Sequence, residues 1–312
     1  MMQLKEIYQP IKKELREVER VLGASLGQTN NESILKLNRF LLESPGKRLR
    51  PALVILSAKA SVNRKPQFPE QQLINIASSI ELIHMASLIH DDVIDHSDKR
   101  HHNETVNSRW GQDVSITLGD YLYSLAFELI SHCSNTDILN CISSATKAMC
   151  EGELLQVMER DNISLMKERY MVIIKKKTAS LFAASCKVGA IASNSSQPIR
   201  NALTRYGLNF GIAFQMIDDC LDLMGQEFSL GKAPGQDINV GEVTLPILNL
   251  LKSVSGSQRR KLKKLLRSKD SDCLKEIRRK LDSSNALEVT KKISLSYLDS
   301  AKEKLMVLSD SA

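Results

Sequence analysis

The chain has 312 residues, a net charge of +7, and 42% apolar but only 4% aromatic residues. Few aromatics, with no zinc-finger spacing and no RNP-type aromatic–basic motif, argue against a nucleic-acid partner, whereas the positive balance fits anionic ligands or a membrane surface. The six cysteines show no Cys-x-x-Cys spacing, and several fall in apolar helical patterns; they are expected as reduced core thiols of a cytoplasmic protein.

Length alone suggests about two domains. No Gly/Ser/Pro linker or low-complexity block marks a boundary, however, and helical apolar periodicity runs nearly end to end. The expectation is an all-α, single-domain helical bundle over residues 1–312, large enough to hold a deep central cavity. The N-terminus is too charged for a signal peptide, and no apolar run reaches membrane-spanning length, so any membrane contact is expected to be peripheral.

In chain order, Leu4 to Leu22 reads as an amphipathic helix and Ile34 to Leu42 as a second, short one. Gly46-Lys47-Arg48-Leu49-Arg50-Pro51 follows, with Pro51 suited to the first position of the next helix. Its cations crowd a helix N-terminus, where the backbone dipole also favours anions. Leu73 to Asp95 then carries apolar residues at three-to-four spacing and ends in Asp91, Asp92 and Asp95. Asp91 and Asp95 share one helix face with His84 and Ser87. Like charges at that spacing cost an isolated helix about 0.2–0.5 kcal/mol, so a cationic partner is expected there. Arg100, His101 and His102 follow and could reach phosphate oxygens.

Trp110, the only tryptophan, is expected as a packing anchor. Ile116–Ile130, Ile138–Val157 and Leu165–Ile174 read as helices. Lys177 and Thr178 then offer a cation and a hydroxyl at a helix start, a second anion-friendly arrangement. Phe210 to Met224 repeats the first motif: Asp218, Asp219 and Asp222 stand in the same D-D-x-x-D order, with Gln215 one turn earlier. The Gly/Pro-rich stretch after it, with Lys232, is a candidate lid. Thr244-Leu245-Pro246 restarts the helical pattern. From Ser257 to Arg279 the tail is strongly basic with leucines at helical spacing: a solvated helix face, with contact to anionic lipid as a lesser option.

Two buried-type helices carrying the same carboxylate pair are hard to explain as surface decoration. Facing each other, they would line the mouth of one cavity with oxygen ligands suited to hard divalent cations, Mg²⁺ first among them. With cationic clusters around them and apolar helices behind, the site fits an anionic head on an oily tail, such as a diphosphate ester of a long hydrocarbon.

The ordered motifs GKRLRP, ELIH, DDVID with the following Lys99-Arg100, TVNSRWG, KTASLF, FQMIDDCLD and the GK-P-G-D loop ending in TLP resemble the trans-polyprenyl diphosphate synthase family over roughly residues 30–250. The resemblance implies the isoprenoid synthase fold, usually a homodimer. It implies that Asp91, Asp95, Asp218 and Asp222 hold Mg²⁺, with Asp92, Asp219 and Lys177 also in the catalytic set. Arg100, Lys177, Thr178, Gln215 and Lys232 would bind an allylic primer such as farnesyl or geranylgeranyl diphosphate. Lys47, Arg50, His84 and His101 would bind isopentenyl diphosphate. The product tail would descend past Ser87, Ala86 and Ile83; these are small or aliphatic where short-chain members carry aromatic rings, which points to an all-trans product in the C30–C50 class.

Two positions depart from the family's pattern. His101 replaces the second of paired arginines, and Glu242 stands where a lysine is usual. They keep open an alternative, a non-catalytic or partner-dependent subunit of a heteromeric synthase. A carboxylate-bridged dimetal bundle would need a second Glu-x-x-His beside Glu81-x-x-His84, and the sequence has none.

Overall fold

The computed structural model describes residues 3–43, 46–61, 69–100, 103–133, 135–224, 235–268 and 273–308. His101, His102 and Lys232 lie outside the described residues, as does the part of the candidate lid over 225–234.

The expected first helix is broken. A short α1 (Leu4–Ile7) and a 3-10 turn (Gln9–Ile11) precede α2 (Lys12–Leu26). Pro10 is the cause: it has no amide proton to give and disfavours helical geometry at Gln9. Then follow α3 (Glu32–Glu43), α4 (Leu49–Ala60) and the central α5 (Glu70–Ile94). Pro51 falls in the first turn of α4 rather than at its first position, which still costs no intrahelical bond. A hairpin the apolar pattern did not announce pairs Lys99–Arg100 with Asn103–Glu104. Beyond it lie α6 (Val106–Trp110), capped by the Thr105 hydroxyl, α7 (Gln112–Ser131), α8 (Thr136–Met158) and α9 (Lys167–Ile174). A π-turn (Lys175–Ala179) leads into α10 (Ser180–Ala192), then α11 (Gln197–Met224), α12 (Gln236–Val240) and α13 (Leu245–Ser253). The chain ends in α14 (Gly256–Ser268), α15 (Cys273–Asp282) and α16 (Ala286–Leu305).

The architecture is all-α, as expected. Helix α5 packs on α2, α4 and α7; α10 packs on α4, α8 and α11; α11 is covered by α16. One apolar cluster centres on α5, with Ile80, Leu82, Ile83, Leu122 and Leu181 fully buried. A second gathers Ile212, Met216 and Leu223 of α11 with Leu245, Leu250 and Ile277. The α4–α10 crossing needs Gly189, where a Cβ would lie 2.2 Å from the Val54 carbonyl oxygen.

Contrary to the sequence expectation, one helix among the described residues is long and apolar enough to cross a bilayer by length and composition. It is α5, and 67% of its most apolar window is buried inside the bundle. The six cysteines are free, three of them buried, but Cys150 is exposed and so not a core thiol. In α14, Leu262 and Leu266 turn inward while Arg260, Lys261, Lys264 and Arg267 face outward.

Candidate active site

The C-terminal ends of α5 and α11 open on one cavity of about 1070 Å³. Asp91, Asp92 and Asp95 reach it from α5, Asp218 and Asp219 from α11. Lys47, Arg50, His84, Arg100, Lys177, Thr178 and Gln215 also line it. Residues distant in sequence are thus brought to one mouth.

Each aspartate of the first triplet stands beside its own cation. Lys177 Nζ is 3.8 Å from Asp91, Arg100 Nη2 is 2.8 Å from Asp92, and Arg160 Nη2 is 2.6 Å from Asp95. The π-turn aims Lys177 at α5, and Gly152 of α8 lets it approach: a Cβ there would lie 2.3 Å from the Lys177 amide nitrogen. Burial works against the Lys177 charge, but Asp91, Glu153 and Glu242 outweigh it and hold the ammonium above the usual lysine range. Glu153 is also bonded to Lys177, and burial pushes its carboxyl up to about 7.

The middle aspartates have protein partners. Asp92 is buried against Arg100, and its carboxyl is raised by burial despite that guanidinium. Asp219 accepts the Tyr170 hydroxyl at 2.6 Å and the Gln215 amide at 2.9 Å, while Thr178 donates to Gln215 Oε1 at 2.7 Å. Both are expected in the catalytic set; both line the cavity, each held there by these partners. Asp222, expected as a metal ligand, is off the cavity wall. It is 3% exposed, and its Oδ2 accepts the Asp237 amide. A single segment ties the two motifs together, because Gly235 N donates to the Asp222 carbonyl and Gln236 Nε2 to the Asp95 carbonyl.

On the other side, Arg48 takes a left-handed conformation (φ 52°) before α4. Its guanidinium is engaged by Glu19 and Glu81; Lys47 and Arg50 line the cavity beside it. Arg50 sits 4.4 Å over the Phe182 ring. Burial pulls it down to about 10, opposed by Glu81 and Asp91, so it stays charged at neutral pH. Arg50 Nε is buried with no hydrogen-bond partner among the described residues. His84 is driven well below its usual range by burial and by Arg50, Arg100 and Arg48.

Of the three residues expected along the tail path, Ser87 alone is on the wall. Ala86 and Ile83 are fully buried in the core. The reason is helical phase: Ala86 stands five residues before Asp91, roughly 140° away around the axis. Met85, Leu88, Tyr123, Met149 and Leu154 form the apolar lining instead.

Sequence reasoning missed Arg160, Glu153 and Tyr170. Only a lone arginine after α8 could have flagged the first. Among the described residues, no three His, Cys, Asp or Glu side chains converge into a ready-made metal cage. The donor set nonetheless fits a divalent cation held by one or two carboxylates and completed by water and phosphate oxygens: Asp91, Asp95 and Asp218 supply hard oxygens, and Lys177 and Arg160 show that cations are drawn to them.

This is an all-α bundle with carboxylates and cations at the mouth of a cavity that has an apolar lining. The polyprenyl synthetase family model matches residues 31–283, and the chain belongs to that family. It is 34% identical to geranylgeranyl diphosphate synthase of Methanosarcina mazei, over 99% of this chain and 94% of that one. It is 31% identical to heptaprenyl diphosphate synthase component 2 of Bacillus subtilis, over 98% and 86%. Among solved structures it resembles a Caulobacter crescentus polyprenyl synthase complexed with calcium and isoprenyl diphosphate, at TM-score 0.91 and 30% identity, over 99% and 93% of the two chains. The protein is a prenyl diphosphate synthase, a prenyltransferase of a family that uses divalent metal ions.

Proposed function

We propose that this synthase condenses isopentenyl diphosphate with farnesyl or geranylgeranyl diphosphate to an all-trans product in the C30–C50 class, as a Mg²⁺-dependent homodimer. The observation carrying the two-substrate reading is that Arg50, whose Nε has no partner among the described residues, lines the same cavity as Asp91, Lys177 and Asp218.

Arg50, Lys47 and neutral His84 hold the isopentenyl diphosphate. Arg100, Lys177 and Thr178 hold the allylic one. Mg²⁺ bound by Asp91, Asp95 and Asp218 supplies positive charge against the diphosphate oxygens. As the allylic C–O bond breaks, both electrons leave with the diphosphate, and cations already fixed in place stabilise that charge without reorganising. The isopentenyl double bond attacks the allylic carbon, and a proton is lost from the new unit to the departing diphosphate. The apolar lining keeps water from quenching the cation.

The long-chain reading is supported by Ser87, a small residue on the wall one turn below Asp91. The test is incubation of pure protein with Mg²⁺, farnesyl diphosphate and labelled isopentenyl diphosphate, then reversed-phase chromatography. Labelled products longer than about C25 that vanish with chelator are expected. No elongation by the protein alone favours the partner-dependent reading, which the likeness to a "component 2" chain and Glu242 also support.

A further inference from the structure

Glu242 reverses the charge expected beside the primer diphosphate. Its side chain is 9% exposed, bonded to Gln156 and 3.5 Å from Arg160. Arg160 in turn reaches Asp95 Oδ1 at 2.6 Å and the Ile94 carbonyl at 3.2 Å, with its side chain still 20% exposed. Its guanidinium therefore joins the wall residue Asp95 to Glu242, and it arises from the end of α8, not from the segment that carries Glu242.

We propose that Arg160 serves the diphosphate site in two positions: it neutralises Asp95 while the site is empty, and it contacts the allylic diphosphate once a divalent cation takes Asp95. This rests on the function proposed above. A metal ion at Asp95 would compete with Arg160 for the carboxylate lone pairs and repel its guanidinium, so the ion pair at Oδ1 would loosen once the metal binds. Displaced, the guanidinium remains beside Glu242, which keeps it at the rim. A planar fork at that place suits phosphate oxygens. Glu242 then acts as a tether for a cation supplied by another helix, and the charge reversal is compensated in space.

The test uses calorimetry on the full chain, with Mg²⁺ alone and with inorganic diphosphate in saturating Mg²⁺. Arg160→Gln should bind Mg²⁺ severalfold more tightly, its competitor gone. It should bind Mg²⁺–diphosphate about 10–100-fold more weakly, the worth of a charge-assisted contact. Adding Glu242→Lys to Arg160→Gln should restore most of the diphosphate affinity. Arg160→Lys, which keeps the charge and guards against a folding failure, should lose only part of it.

Unchanged or weaker Mg²⁺ binding in Arg160→Gln overturns the proposal, as does unchanged diphosphate binding. If the unaltered protein itself binds no Mg²⁺–diphosphate, the proposed function fails first. If it binds and Arg160→Gln matches it, only the part given to Arg160 fails.

Discussion

The Tyr170 hydroxyl donates to Asp219 Oδ2 at 2.6 Å, across the gap between α9 and α11. Gln215 serves the other carboxylate oxygen, and Thr178 fixes Gln215. Four side chains from three stretches of sequence thus lock the end of α11, on which Asp218 stands exposed to the cavity. Asp219, itself on the cavity wall, is fixed beside Asp218 by these bonds.

Removing the phenol should therefore harm the site without touching a substrate. A hydrogen bond to a buried charged group is worth about 1.5–3 kcal/mol. Tyr170→Phe is expected to lose about that much stability in a denaturant titration and to lower kcat more than it raises KM for isopentenyl diphosphate. A variant with native stability would show that the contact does not hold α11.

His84 sets a pH dependence of stability. An unfolded histidine titrates near about 6.5, and in the fold His84 is held well below that by burial and three arginines. The unfolded chain thus binds the proton first. The contribution is complete above about pH 6.5 and is lost as pH falls toward the folded value, at up to about 1.4 kcal/mol per unit. Burial of Asp219 and Glu153, both raised to about 7, acts the other way: their contributions are lost as pH rises toward about 7. Comparison with His84→Gln isolates the histidine. The variant should lose less stability than the parent between about pH 6.5 and pH 5, measured by urea midpoints. Parallel curves would remove His84 from the account.

The aspartate triplets and their shared faces were legible because a single period, 3.6, governs α5 and α11. The same rule carried past its range misplaced Ala86: it is near Ser87 in sequence but faces the core. The π-turn at Lys175–Ala179 was invisible because local sequence gave only a helix start, whereas its geometry depends on Gly152 of α8 meeting Lys177. Arg160 was invisible for a related reason. Its meaning comes from where α8 ends relative to Asp95, a tertiary distance that no local pattern encodes.

Chain length separates two neighbouring positions. Ser87 is on the cavity wall and Ala86 is fully buried in the core around α5. Ser87→Phe should shorten the product in chromatography with little loss of stability. Ala86→Phe should instead overpack the core, which costs about 1–3 kcal/mol or more, and lower the melting temperature. Equal shortening by both, at unchanged stability, would place the tail on a different path.

Glu81 settles what the lone Glu-x-x-His pattern means. It is buried, and Arg48 donates to its Oε1 at 2.8 Å while also holding Glu19. Arg48 accepts a left-handed backbone, a conformation costing about 1–3 kcal/mol outside glycine, to make these pairs. Breaking one side of a buried ion pair is expensive because the remaining charge is stranded, about 3–5 kcal/mol. Arg48→Ala should lose about that much, and Glu81→Gln less, since a neutral amide can still accept from Arg48. Replacing both by apolar residues, Arg48→Met with Glu81→Leu, should recover part of the loss. A metal ligand would behave differently: Glu81→Gln would weaken Mg²⁺ binding in calorimetry while leaving stability intact. The ion-pair anchor predicts unchanged Mg²⁺ affinity and lowered stability, so the two measurements on one variant decide between them.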